Sequence, residues 1–207
     1  MSTDLKFEAV VIPVADADRS KEFYAGLGWR LDADFAFDNG FRIVQFTPPG
    51  SPASVQFGSN ITTAEPGTAQ GLYLVVADIE AARSELLAAG AKVGEVFHPS
   101  APGAQFEPAA AEGRVAGTTD DRSSYGSFAT FSDPDGNTWL LQEVTTRIPG
   151  RVSEATYASV SELEEALRRA ATAHGEHEAR TGQADEEWPA WYAAYLLADR
   201  TGAKLPE

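Results

Sequence analysis

Two stretches of this chain repeat one another at fixed spacing, which restricts the fold to architectures that use one supersecondary unit twice. Val14-Ala15-Asp16 leads into an amphipathic run that closes at Gly28, and Val76-Ala77-Asp78 leads into one that closes at Gly90. Both Asp-to-Gly intervals are 12 positions. Further on, Phe46-Thr47-Pro48-Pro49-Gly50 lies over Phe131-Ser132-Asp133-Pro134-Asp135, and a short apolar run follows each. A paired-module domain usually keeps its ligand in the groove between its modules, so the repeat gives a place for function before it gives a function.

Each unit reads βαβββ. In the first, Phe7 to Val14 is a buried strand, Asp16 or Asp18 caps a helix, Phe23, Tyr24 and Leu27 form its apolar face, and Gly28 ends it. Strands follow near Trp29–Phe35, Phe41–Phe46 and Ser54–Phe57, with Asp38-Asn39-Gly40 as a turn. In the second, strand Leu72–Val76 and helix Ile79–Ala89 precede strands near Lys92–Phe97, Ser127–Phe131 and Thr138–Val144, the last two joined by a turn at Asp135-Gly136-Asn137. Asp16 and Phe46 are 30 positions apart whereas Asp78 and Phe131 are 53 apart, so the second unit carries about 23 extra residues. These fall within 99–124, a Pro-, Gly-, Ala- and Ser-rich stretch that is either a lid or a disordered loop.

After Arg151 the pattern turns helical. Ser161 with Glu164 reads as a capping box, and Leu163, Leu167, Ala170, His174 and His177 share one helical face. A second helix carries Trp188, Trp191, Tyr192, Tyr195 and Leu196, and Gly202 lies just past its end. The expectation is an α+β fold: a domain over 1–151 with modules at about 6–60 and 70–146, and a helical hairpin over 152–207 that packs on the β part or on a partner subunit.

Composition narrows the class of partner. No apolar stretch reaches the roughly 18–20 residues of a membrane helix. Met1-Ser2-Thr3-Asp4 lacks the zones of a signal peptide, and the expected location is cytoplasmic. Without cysteine there is no disulfide, thiolate metal site or cysteine nucleophile. A formal net charge of −15 with no basic cluster argues against nucleic acid and anionic membranes as partners. That acidity serves solubility, or else attracts a cationic small molecule.

Val14-x-Asp16-x-x-x-Ser20-x-x-Phe23-Tyr24 with Leu27-Gly28, and Phe131-Ser132-Asp133-Pro134-Asp135-Gly136-Asn137 running into the last strand, resemble the vicinal oxygen chelate superfamily of glyoxalases, bleomycin-resistance proteins and extradiol dioxygenases. The resemblance covers residues 6–145 and implies two βαβββ modules whose curved sheets enclose a small-molecule cleft. The helical tail lies outside the shared fold and is similar to the extension of a glyoxalase-like bacterial subset.

Metal-dependent members hold one divalent ion through His, Glu or Gln at four strand positions, leaving sites open for vicinal substrate oxygens. Carried onto this chain, those positions read Ala9, Val55 or Gln56, Gly71 and Leu140. At most one has a donor side chain. Glu8 and Glu143 do not replace them, because strand alternation turns both to the opposite face. No cofactor is expected, and a divalent metal is disfavoured.

Alternation places Ala9, Val11 and Pro13 on the cleft side of the first strand, with Leu140 and Gln142 on that side of the last. Gln56, Tyr125 and Ser127 are candidates for ligand hydrogen bonds, and a lid formed by the insertion would bring His98, Arg114 and Tyr125 to the ligand. His98 is the candidate general acid or base. His174 and His177 have a spacing that holds metals on helices, but they continue an apolar stripe and read as packing residues. The leading expectation is a homodimer that binds a small, partly apolar organic molecule between its modules, by binding alone or with metal-free acid–base chemistry. One alternative is a metal-dependent lyase, isomerase or dioxygenase with rearranged ligands. Another is an interaction protein that uses its aromatic tail.

Overall fold

The computed structural model describes residues 5–107, 113–147, 157, 159–183, 185–201 and 203–206. It forms two compact units, Met1–Thr145 and Thr146–Glu207.

In the first module, β1 (Ala9–Val11) pairs in parallel with β4 (Ser54–Ser59), and β3 (Arg42–Thr47) and β2 (Arg30–Ala36) continue the sheet antiparallel. Helix α1 (Ala17–Gly26) starts at Asp16, whose carboxylate accepts from the amides of Asp18 and Arg19. Two residues after Gly26 the chain turns through Gly28 at φ 77°, a left-handed conformation that a Cβ would strain. Alternation sorts the sheet. Val44, Phe46, Val55 and Phe57 are buried against Tyr24 of α1, whereas Gln45, Thr47, Ser54 and Gln56 occupy the opposite face.

The second module repeats the plan with an addition. Here β5 (Leu72–Val76) is parallel to β9 (Thr138–Glu143), followed by β8 (Phe128–Ser132), β6 (Phe97–Pro99) and β7 (Arg114–Ala116). Helix α2 (Ile79–Ala88) is capped by Asp78 as α1 is by Asp16. The strand expected over Lys92–Phe97 is displaced. Val93 makes a single bridge to Phe131, and regular pairing begins only at Phe97. Arg83 of α2 takes the Gly94 carbonyl at 2.7 Å, so that group is already engaged from the helix side.

The insertion 99–124 is built into the sheet where it is described. Residues 104–106 form a 3₁₀ turn, and β7 pairs antiparallel with β6 through Phe97–Ala116, His98–Val115 and Pro99–Arg114. Its return arm is pinned by Arg122, which bonds both oxygens of the fully buried Glu143 and reaches Glu80 at 2.9 Å. Glu143 also accepts from the Ile79 amide at the start of α2. As alternation predicts, this glutamate points away from the Leu140 face.

The repeated motifs join the modules. The Asp133 carboxylate accepts from the amides of Asp135, Gly136 and Asn137, shaping the turn between β8 and β9. Its second oxygen accepts from Tyr24 Oη at 3.1 Å, and Trp139 Nε1 donates to that same hydroxyl at 3.1 Å. Burial, reinforced by the Asp133 charge, raises the Tyr24 pKa. Asn137 Nδ2 donates to the Pro13 carbonyl at 2.9 Å, and Arg19 and Ser20 both reach Asp135. Gly67 completes the joint, since a Cβ there would lie 2.1 Å from the Asp135 carbonyl oxygen. The helix-facing sides of both sheets thus share one core.

The second unit contains α3 (Val160–Thr181) and α4 (Trp188–Thr201). The cap of α3 is Ser159, whose hydroxyl accepts from the Glu162 amide, rather than the expected Ser161. The buried positions of α3 are Ala166, Ala170 and His174, while Leu163 and Leu167 are more than a third exposed. Small side chains let the helices approach closely, which moves the contact stripe away from those leucines. His174 and His177 pack on Trp191, and His174 Nε2 lies 3.2 Å from Asp185. Gly202 is outside the described residues.

Candidate functional site

A pocket of about 630 Å³ opens on the face of the second sheet turned away from the shared core. The β8–β9 hairpin register pairs Thr130 with Leu140 and Ser132 with Thr138, so these four side chains share the face that lines it. Gln70, Gly71 and Trp139 border them, and Gln105, Phe106, Glu107 and Arg114 form a wall contributed by the insertion. Phe106 contacts Tyr73 edge to face, with ring centres 6.0 Å apart. Below Arg114, Phe97 and Phe128 stack at 5.9 Å and pack with Leu140 as a small second core.

Arg114 is the principal polar group. Its guanidinium carbon lies 4.1 Å above the centre of the Phe97 ring, and Nη2 donates to the carbonyls of Gln105 (3.1 Å) and Glu107. Burial lowers its pKa from the usual arginine value, partly countered by the Glu107 charge. It remains a cation at any physiological pH.

Of the residues expected at the site, Arg114 and Leu140 line this pocket. Gln142 shares the Leu140 face, and its amide donates to the Tyr125 carbonyl at 3.2 Å. Tyr125 itself turns through φ 71° beside β9, its amide donating to the Glu143 carbonyl. Ser127 is fully buried on the other face, where its hydroxyl accepts from the Thr119 amide. His98 lies on the face of β6 opposite Phe97, and its Nδ1 is 3.0 Å from the Gly117 carbonyl. The one-residue alternation of β6 turns His98 away from Arg114.

Val11 and Gln56 pair on the open face of the first sheet, and Pro13 is buried with its carbonyl engaged by Gly67 and Asn137. That open face carries a polar row absent from the sequence reading. Gln56 Nε2 donates to Gln45 Oε1 at 2.7 Å, and Gln45 Nε2 donates to Ser54 Oγ at 3.2 Å. Ser54 Oγ lies 2.7 Å from Thr47 Oγ1, which bonds Asp32. The Thr47 and Arg30 hydrogen bonds hold the Asp32 carboxyl below the usual carboxylate range. Strand parity around Gln56 was the signal for Gln45, Ser54 and Thr47. The hairpin register similarly made Thr130, Ser132 and Thr138 findable from Leu140. Nothing in the local sequence marked Gln70, Gln105, Phe106 or Glu107.

The residues present do not fit the family's metal. Ala9 and Gln56 share the first sheet's open face while Val55 is buried on the other, so Gln56 is the relevant position. Its amide is engaged by Gln45, and Ala9, Gly71 and Leu140 offer no donor side chain. Among the described residues no group of three His, Asp or Glu side chains is placed to hold a metal, and no helix is long and apolar enough to cross a membrane.

The chain is similar to TnmS3, an antibiotic binding protein from Streptomyces sp. CB03234, at 26% identity and a TM-score of 0.51, covering 70% of this chain and 99% of that one. It is also similar to a member of the glyoxalase/bleomycin resistance protein/dioxygenase superfamily from Sphaerobacter thermophilus, at 25% identity and a TM-score of 0.50, covering 68% and 98%. No curated protein matches. The profile of the Glyoxalase/Bleomycin resistance protein/Dioxygenase superfamily matches residues 6–141. On that match, and with the paired modules in place, the chain belongs to the glyoxalase/bleomycin resistance/dioxygenase superfamily.

Proposed function

We propose that this protein binds a small, partly apolar organic molecule without the superfamily's metal. One observation carries the reading: two of the four metal-ligand positions, Gly71 and Leu140, are part of the lining of a pocket of about 630 Å³. That volume suits a small organic ligand, and a floor of three hydroxyl side chains beside Leu140, bordered by Trp139 and Phe106, offers both hydrogen bonds and apolar area for burial. The described resemblance to an antibiotic binding protein supports the same class of activity. The lining contains one acidic side chain, Glu107, which is exposed, and no histidine, so the geometry favours binding over acid–base turnover.

Native mass spectrometry of the protein purified without chelator tests this, combined with elemental analysis. The expected result is a copurified organic mass, lost on Thr138→Trp, and no stoichiometric Zn, Ni, Mn or Fe. One equivalent of metal that disappears on Gln56→Ala would overturn the metal-free reading.

A further inference from the structure

We propose that this pocket selects an anionic aromatic molecule, with the Arg114 guanidinium as counter-charge to its acidic group. The proposal rests on the small-molecule reading above and specifies the class of ligand.

Arg114 stands apart from the other arginines of the first unit in its pairing. The other five arginines of the unit, Arg19, Arg30, Arg42, Arg83 and Arg122, each pair with a carboxylate. Among the described residues Arg114 has no such pair, in a chain with 31 acidic and 16 basic residues. Its Nε is buried and makes no hydrogen bond. A guanidinium presents a planar fork matched to carboxylate or sulfonate oxygens, and with only the unpaired charge of Glu107 to offset it beside a cavity, a ligand's acidic group supplies the pair it lacks.

Arg114 is also held rigidly. Pairing of β7 with β6 sets Arg114 above Phe97, and the Gln105 and Glu107 carbonyls hold Nη2. The cation is therefore placed before a ligand arrives, which reduces the ordering cost of binding. Phe106, braced by Tyr73, faces a lining that contains Leu140, surfaces suited to a flat ring. The net charge of −15 does not forbid an anion here, because exposed charges are screened beyond about 8 Å at physiological salt. Within the lining, only Glu107 opposes one.

Two fluorescent probes with the same ring system separate charge from apolar area: 1-anilinonaphthalene-8-sulfonate, which is anionic, and neutral N-phenyl-1-naphthylamine. Each is titrated into the full chain, with Thr138→Trp as the pocket-blocked control. The sulfonate probe is expected to bind about tenfold more tightly than the neutral one, the scale of one charge-assisted contact. Arg114→Gln should remove that advantage by weakening the sulfonate probe about tenfold more than the neutral one, and Glu107→Gln should increase it. Equal affinities in the unaltered protein overturn the anion proposal and leave the small-molecule reading standing. Parallel weakening of both probes by Arg114→Gln also overturns it, showing that the arginine only props the 104–107 turn. If Thr138→Trp changes neither titration, neither probe occupies the pocket, and both readings fall.

Discussion

Replacing Tyr24 with Phe removes one oxygen atom at the point where the two modules are joined. The ring contacts survive, including those to Trp29 at 4.8 Å and Phe57 at 5.5 Å between centres, so no large cavity forms. Two hydrogen bonds are lost, each 3.1 Å long and buried. Asp133 Oδ2 keeps the Asn137 amide at 2.7 Å, but among the described residues the Trp139 indole N–H has no other hydrogen bond. A buried unsatisfied donor costs about 1–3 kcal/mol, and loss of a bond to a carboxylate adds to it, giving about 3 kcal/mol. Hydrogen exchange followed by mass spectrometry resolves the effect by module. The slowest amides of β4 and β9 should both exchange about a hundredfold faster, because the lost bonds link the modules. Acceleration below about fivefold in both strands would show that other groups or water replace the hydroxyl. Acceleration confined to one strand would show that the modules open separately and refute the shared core.

Three further outcomes are expected. Arg122→Ala leaves the buried Glu143 carboxylate without its cation, so residues 117–126 should become the first site of limited proteolysis and the Ile79 amide should lose exchange protection; unchanged cleavage would show that the arm is held by other contacts. The Arg42 and Lys21 hydrogen bonds hold the Asp34 carboxyl at about 2, so their stabilisation is complete above about pH 4 and is lost as pH falls toward 2. Asp34→Asn should therefore cost stability at pH 5 and little at pH 2 in thermal melts, and an offset that does not change with pH would refute that assignment. The open sheet faces expose Val11, Phe35, Tyr73 and Val75, and the helical unit exposes Trp188, so we expect a homodimer by light scattering; a monomer at micromolar concentration would contradict it.

The sequence by itself determined the parts of this protein that depend on local rules. The repeat located both helices because Asp16 and Asp78 cap through their own side chains within three residues, and alternation assigned Leu140 and Gln142 to one face of β9 and Glu143 to the other. It showed three ligand positions without donors, since that depends on residue identity alone. Tertiary structure decided what depends on distant pairing. Arg83 engages the Gly94 carbonyl and the regular strand starts later, at Phe97, a position whose parity directs His98 away from the pocket and Phe97 beneath Arg114. Arg122 finds Glu143 across 21 positions, and Gln45 finds Gln56 across a hairpin. The insertion looked structureless because its short strand lacks periodicity of its own. The β6 edge supplies hydrogen bonds for it, and only through that pairing does Arg114 reach the pocket wall.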